Sequence, residues 1–301
     1  MRRILIGLAT AALVVLAALL PTAGTSAATS VALPTGNAPV AAMKADKATP
    51  AKANEATNEN KATNENKATN ANETANTTKA ARAANHTVTF VNHTGRKVWI
   101  GSAVNADGSK QFAKLPILGP GQSASVTIPE NAEPGHWRGK FFARLGCTGA
   151  SGSTFHCKVG DCGKFADHCE LGERPVSLAE FNFDTKDTLA PWYNVSYVNA
   201  FSNPITIAPK NPAGGGGCGT QGCTQNLLPF CPAANLTRWP DGTPMLCTNP
   251  NRDVKTPYSN AIASRCPKAY AWSKQDQEPG NQVMQNCGKC SGFTVTFNAG
   301  S

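Results

Sequence analysis

From residue 86 onward, polar and apolar positions alternate with a period of two, the spacing of a strand with one face buried. HTVTFVN at 86–92 opens the series, NHTG at 92–95 makes a turn, and KVWIG at 97–101 predicts a second strand. LGPG at 118–121 is another turn, and SASVTI at 123–128 alternates after it. Further strands are predicted over 137–145, 177–183, 192–198 and 204–208. Within 177–183, Leu178 and Glu180 share one face and Phe181 takes the other. Short strands punctuated by Gly and Pro argue for a β-sandwich, against a helical or α/β fold.

The first 84 residues follow a different pattern. Arg2 and Arg3 precede an apolar run over 4–20, and Thr25, Ser26 and Ala27 supply a small-residue exit. That is the form of a secretory signal peptide spanning 1–27. It predicts an extracellular protein with no membrane association once the segment is removed. No cysteine lies near the exit to carry a lipid, and no polar consensus follows the paired arginines, so ordinary secretion is expected. Residues 28–84 are rich in Ala, Thr, Asn, Lys and Glu, with KATNEN at 61–66 inside a degenerate repeat. Such a composition buries too little surface to offset chain entropy, and it predicts a disordered spacer. A wall-binding tether is the alternative. The folded domain is expected over 85–301.

The formal net charge is +9, scattered with no basic run or interleaved aromatic platform, which argues against nucleic acid as a partner. All eleven cysteines lie at or after Cys147. In an exported chain they read as disulfides, and their odd number leaves one thiol over. Cys287 and Cys290 form a C-x-x-C spacing, open to a redox pair or to half a zinc site with His156 or His168. Without a second such pair, neither a metal nor a cofactor is expected. Asn76, Asn85, Asn92, Asn194 and Asn235 each begin an Asn-x-Ser/Thr sequon.

Phe155, Cys157, Gly160, Asp161 and Cys162, closed by Cys169, resemble the signature segment of the thaumatin-like proteins, with Ser153 and Val159 in place of its Gly and Thr. The resemblance runs on through Val91-Asn92 and Val98-Trp99, LAEF at 178–181, YNVSYVNAFSNP at 193–204, GCGTQGC at 217–223 and FCPA at 230–233. Tyr258-Ser259 and CPKAY at 266–270 close it, so it spans about 86–298 in unbroken order. It implies a mainly β fold: a sandwich core with a small disulfide-rich satellite region carrying a short helix, and a cleft between them. It also implies bridges Cys147–Cys157, Cys162–Cys169, Cys223–Cys266 and Cys231–Cys247, with Cys218 joined to Cys287 or to its competitor Cys290. The family's bridge between its first and last cysteines is absent, since Thr94 and Asn298 occupy those positions.

Family members that bind or cut β-1,3-glucan have an acidic cleft. Carried over by position, its strand carboxylate is Glu180, while Asn194 and Asn199 stand where two aspartates are expected. The satellite aspartate has no dependable counterpart, Asp253 being the nearest candidate. No arginine matches: Glu130 and Glu133 lie where one would be sought, and Arg144 belongs to a structural position. Glycoside hydrolysis normally needs two carboxyl groups across the bond, whereas an amide only donates to and accepts from hydroxyls. The resemblance therefore implies a secreted monomer that binds β-1,3-glucan or a related cell-wall polysaccharide without cutting it, with an antifungal or defence role. A weak endo-β-1,3-glucanase using Glu180 with Asp184, Asp187 or Asp253 is the alternative, and an interaction domain with a vestigial cleft is a third. A chain beginning at Ala84 is predicted to melt like the protein that retains the spacer, because 28–84 offers no apolar face to a core. A drop of several degrees in differential scanning calorimetry would contradict this.

Overall fold

A computed structural model describes residues 85–213 and 218–299, so the expectations for the signal segment and the spacer fall outside it. The alternating segments form β1 (Thr87–His93), β2 (Val98–Val104), β3 (Ile117–Leu118), β4 (Ser123–Thr127) and β5 (His136–Arg144). They continue as β6 (Leu178–Asp184), β7 (Trp192–Ser196), β8 (Ala200–Phe201) and β9 (Ile205–Lys210). Beyond these lie β10 (Gln221–Gly222), β11 (Leu236–Arg238), β12 (Pro244–Thr248), β13 (Gln285–Asn286) and β14 (Gly292–Asn298). A five-stranded sheet in the order β10-β9-β14-β1-β4 packs on a six-stranded sheet in the order β13-β7-β6-β5-β2-β3.

The core between them is aromatic. Val88 and Phe90 on β1 and Phe293, Val295 and Phe297 on β14 turn inward. They meet Phe141 on β5, Phe181 and Phe183 on β6 and Tyr193 on β7, with ring centroids 5.0 Å apart for Phe90–Phe141 and 4.8 Å for Tyr193–Phe293. β14 was not among the expected strands, although Phe293, Val295 and Phe297 alternate with threonine. It runs parallel to β1 and antiparallel to β9, at the centre of its sheet.

The satellite region is built by cross-links and one short helix. Cys147–Cys157 and Cys162–Cys169 close the loop between β5 and β6, and Cys218–Cys287, Cys223–Cys266 and Cys231–Cys247 tie the segments that follow β9. Cys287 is therefore the residue bonded to Cys218, and Cys290 is a buried free thiol. β8, β11 and β12 make a third, small sheet. The helix α1 (Pro257–Ala263) starts on a capping box in which Thr256 accepts from the Ser259 amide and Ser259 accepts from the Thr256 amide. It buries Tyr258 and Ile262, four residues apart on one face. Arg144 is fully buried, donating to the carbonyls of Phe165 and Gly163 and lying 4.8 Å from the centroid of Phe155. It thereby pins the cysteine-rich loop to the end of β5.

Asn92 holds the β1–β2 turn. It is fully buried, and its Nδ2 donates to the carbonyls of Arg96, Leu118 and Gly119 while its Oδ1 accepts from the amide and hydroxyl of Thr94. A sequon asparagine so enclosed offers no amide to an oligosaccharide transferase in the folded chain. Thr94, in the place of the family's first cysteine, has become part of this polar turn, and the β1–β14 register sets neighbouring His93 opposite Asn298. Asn92→Ala would leave the buried Leu118 carbonyl and the more open carbonyls of Arg96 and Gly119 short of a partner. Denaturant titration should then show a loss of about 2–4 kcal/mol, a buried polar network being costlier to break than one exposed hydrogen bond.

At the start of β1, His86 Nδ1 lies 2.8 and 2.9 Å from the two carboxylate oxygens of Glu130, and its ring packs 5.3 Å from Phe183. Burial lowers its pKa, but hydrogen bonds to Cys290 and Glu130 and the charges of both outweigh it and raise the value from 6.5 to about 9. A folded pKa above the unfolded one stabilises the fold fully below pH 6.5, and the contribution disappears as pH rises through about 9. The denaturation midpoint is therefore predicted to fall between those limits, and Glu130→Gln should flatten the fall. An unchanged slope in that variant would overturn the assignment.

Candidate functional site

The outer face of the six-stranded sheet is polar because every second residue of β5, β6 and β7 points away from the aromatic core. Register places Lys140, Glu180 and Asn194 side by side across three strands, and Arg138, Asn182 and Trp192 in the next row. Sequence reasoning missed Lys140 and Arg138, although HWRGKFFAR alternates clearly enough to put both on this face. Asn194 Nδ2 donates to Glu180 Oε2 at 2.8 Å. Lys140 pairs with Glu173 at 2.6 Å, with little of either side chain exposed. Arg138 bonds Asn182 Oδ1 at 3.1 Å and Asp184 at 2.5 Å. A ladder of amides and paired charges thus crosses the sheet, and Glu180 is the carboxylate within it that has a neutral amide for its hydrogen-bond partner.

A satellite segment adds to this row. Tyr270 forms a parallel bridge with Ser196, its carbonyl accepting from Tyr197 at 2.7 Å and its amide donating to Val195 at 2.9 Å. The hydroxyl and Asp276 Oδ1 are both closed off from solvent. Burial chiefly, then the charges of Asp276 and Glu180 and a hydrogen bond to Asp276, raise the phenol's pKa well above its ordinary value. Tyr270 therefore feels two carboxylates, one from the sandwich and one from the satellite, and has Asp276 as its hydrogen-bond partner.

The structure thus brings Glu180 and Asn194 together. Asn199 lies in the turn before β8, held through its carbonyl by the Asn249 amide at 2.9 Å, and among the described residues no hydrogen bond joins its side chain to Glu180 or Asn194. Asp253, the nearest candidate for the satellite carboxylate, lies apart from the row. It is exposed and accepts from Ser273 at 2.9 Å, whereas Asp276 is the satellite acid whose charge acts on Tyr270 together with that of Glu180. The alternative partners for Glu180 are spoken for: Asp184 pairs with Arg138, and Asp187 accepts from the Trp192 indole at 3.0 Å. Asp184 is also four strand positions from Glu180, about 13 Å along the backbone. As for a metal, Cys287 is consumed in its disulfide, His156 bonds Thr148 at 3.2 Å, and His168 stacks on Phe165 at 4.2 Å. Among the described residues no group of three His, Cys, Asp or Glu could hold an ion.

Comparison with known proteins follows the same residues. The model of the Thaumatin family matches residues 92–257. Pathogenesis-related thaumatin-like protein 3.5 of Cryptomeria japonica is 30% identical over 216 residues, covering 65% of this chain and 85% of that protein. A protein of Prunus avium named glucan endo-1,3-beta-glucosidase is 28% identical over 231 residues, covering 70% of this chain and 89% of that one. Among solved structures, the thaumatin-like xylanase inhibitor TLXI is 16% identical with a TM-score of 0.37, covering 70% of this chain and 97% of its own.

Proposed function

Since the chain belongs to the thaumatin family, we propose that it is a secreted glycan-binding protein that holds β-1,3-glucan or a related neutral cell-wall polysaccharide along the Glu180 row without cutting it. The observation that carries this reading is the Glu180–Asn194 pair on the outer face of the sheet. A sugar hydroxyl both donates and accepts, so neighbouring hydroxyls can bond Glu180 and the Asn194 carbonyl. The amide at Asn194 orients Glu180 as an acceptor and supplies no acid. In this reading export is directed by 1–27, the spacer 28–84 separates the domain from its leader, and the protein acts outside the cell as a monomer with an antifungal or defence role.

A second reading, weak endo-β-1,3-glucanase, is favoured by one observation: Asp276 is a second carboxylate whose charge, like that of Glu180, acts on Tyr270. Two assays separate them. Wild-type protein should be retained on insoluble β-1,3-glucan and release no reducing sugar from laminarin. Glu180→Gln should weaken retention by about tenfold or less, one charge-assisted hydrogen bond being worth roughly 1.5–3 kcal/mol when desolvated and less when half exposed. Asn194→Asp with Asn199→Asp should raise hydrolysis above background. Cleavage by the wild type that is abolished in Glu180→Gln or Asp276→Asn would replace the binding reading by the enzymatic one.

A further inference from the structure

A groove of about 470 Å³ opens between α1 and the segment 272–282, lined by residues that take no part in the Glu180 row. Trp272 is half-buried in its wall, and Lys255 Nζ lies 5.5 Å from a Trp272 ring centroid while pairing with Glu278 at 2.8 Å. That ion pair neutralises the wall. Gln275 is buried, and its Oε1 accepts from the Ala271 amide at 2.7 Å, which leaves its Nε2 as the group it can offer to the groove. Asn260 and Gln282 contribute exposed amides.

This lining selects by chemistry. An apolar ligand would take several amides out of water without partners, which is unfavourable. A charged ligand would meet an ion pair that is already satisfied. A hexose presents a C–H face that covers an indole and a rim of hydroxyls that both donate to and accept from planar amides. The volume lies within the ~300–1,000 Å³ range of small-ligand clefts. We infer that this groove is a second glycan-binding site, taking a neutral hexose oligosaccharide on Trp272 with the amides of Asn260, Gln275 and Gln282 on its hydroxyls. Its sugar chemistry stands on the groove; only the choice of a β-1,3-linked probe rests on the function proposed above. Gln275 and Asp276 are consecutive, so one polymer chain engaged at both places would be held on either side of a single short segment.

The test uses the mature, ¹⁵N-labelled protein and two probes, laminarihexaose and cellohexaose, with the indole signal of Trp272 identified by its loss in Trp272→Phe. Titration with at least one hexaose should shift that signal. Trp272→Ala should weaken glycan binding by about fivefold or more, the order of one lost aromatic contact. Because Trp272 also packs against its neighbours, the double variant Asn260→Ala with Gln282→Ala, both exposed, should weaken binding at an unchanged melting temperature. A Trp272 signal that stays still with both probes, or binding unaltered in both variants, overturns the proposal. Weaker retention in Glu180→Gln with an unmoved Trp272 signal removes the groove and keeps the row. A Trp272 shift with retention indifferent to Glu180→Gln does the reverse.

Discussion

The fold depends on β14 being laid between β1 and β9. Its partners lie far away in sequence, and the register sets Val88 beside Phe293, Phe90 beside Val295 and Asn92 beside Phe297. Those pairs supply much of the inner face on which Phe141, Phe181 and Tyr193 pack, so neither sheet is buried until the last strand is in place. A connection of this span is entropically slow to form. The Cys218–Cys287 bridge, which spans 69 positions, shortens the search by fixing the chain a few residues ahead of β14. His86 and Glu130 act at the same end, locking the start of β1 where Cys290 precedes β14.

Once the aromatic face is committed inward, the opposite face of β5, β6 and β7 is committed outward, and the polar row follows without further design. Strand alternation alone sets Lys140, Glu180 and Asn194 in line. What it does not decide is which groups the satellite brings to that line. The disulfides and the capping box of α1 do that work, because they hold the 266–282 segment against β7 through the Tyr270 bridge to Ser196. The site is thus half sheet and half cross-linked loop, and its two halves were legible to different degrees.

The sheet half was readable because period two in the sequence is period two in space: Glu180 could be placed on the polar face of its strand before any coordinates. The loop half was not. Asp253 and Asp276 are both acids in a segment without regular periodicity, and local sequence holds nothing that distinguishes one spent on Ser273 from one facing Tyr270. β14 is a different case, since Phe293, Val295 and Phe297 carry the same alternation as β1. Its position between β1 and β9, however, is a property of pairing, which no single strand encodes. The choice of Cys287 over Cys290 as the partner of Cys218 is likewise geometric, for both lie in one tight turn, with the Cys290 thiol donating to the Cys287 carbonyl at 3.0 Å.

The neutral residue at 194 determines the character of the row more than any other single position. With an amide there, the bond to Glu180 has a fixed direction, Nδ2 to Oε2, at every pH at which Glu180 is charged. Its carbonyl stays free to accept from a ligand. A carboxyl group in its place would stand within hydrogen-bond distance of Glu180, where two like charges cannot both persist. One of the pair would then retain a proton near neutral pH, which is how paired carboxylates acquire general-acid capacity. The amide on β7 therefore spares Glu180 a competing charge, while a hydrolytic pair would still need a second carboxyl across the bond rather than beside Glu180.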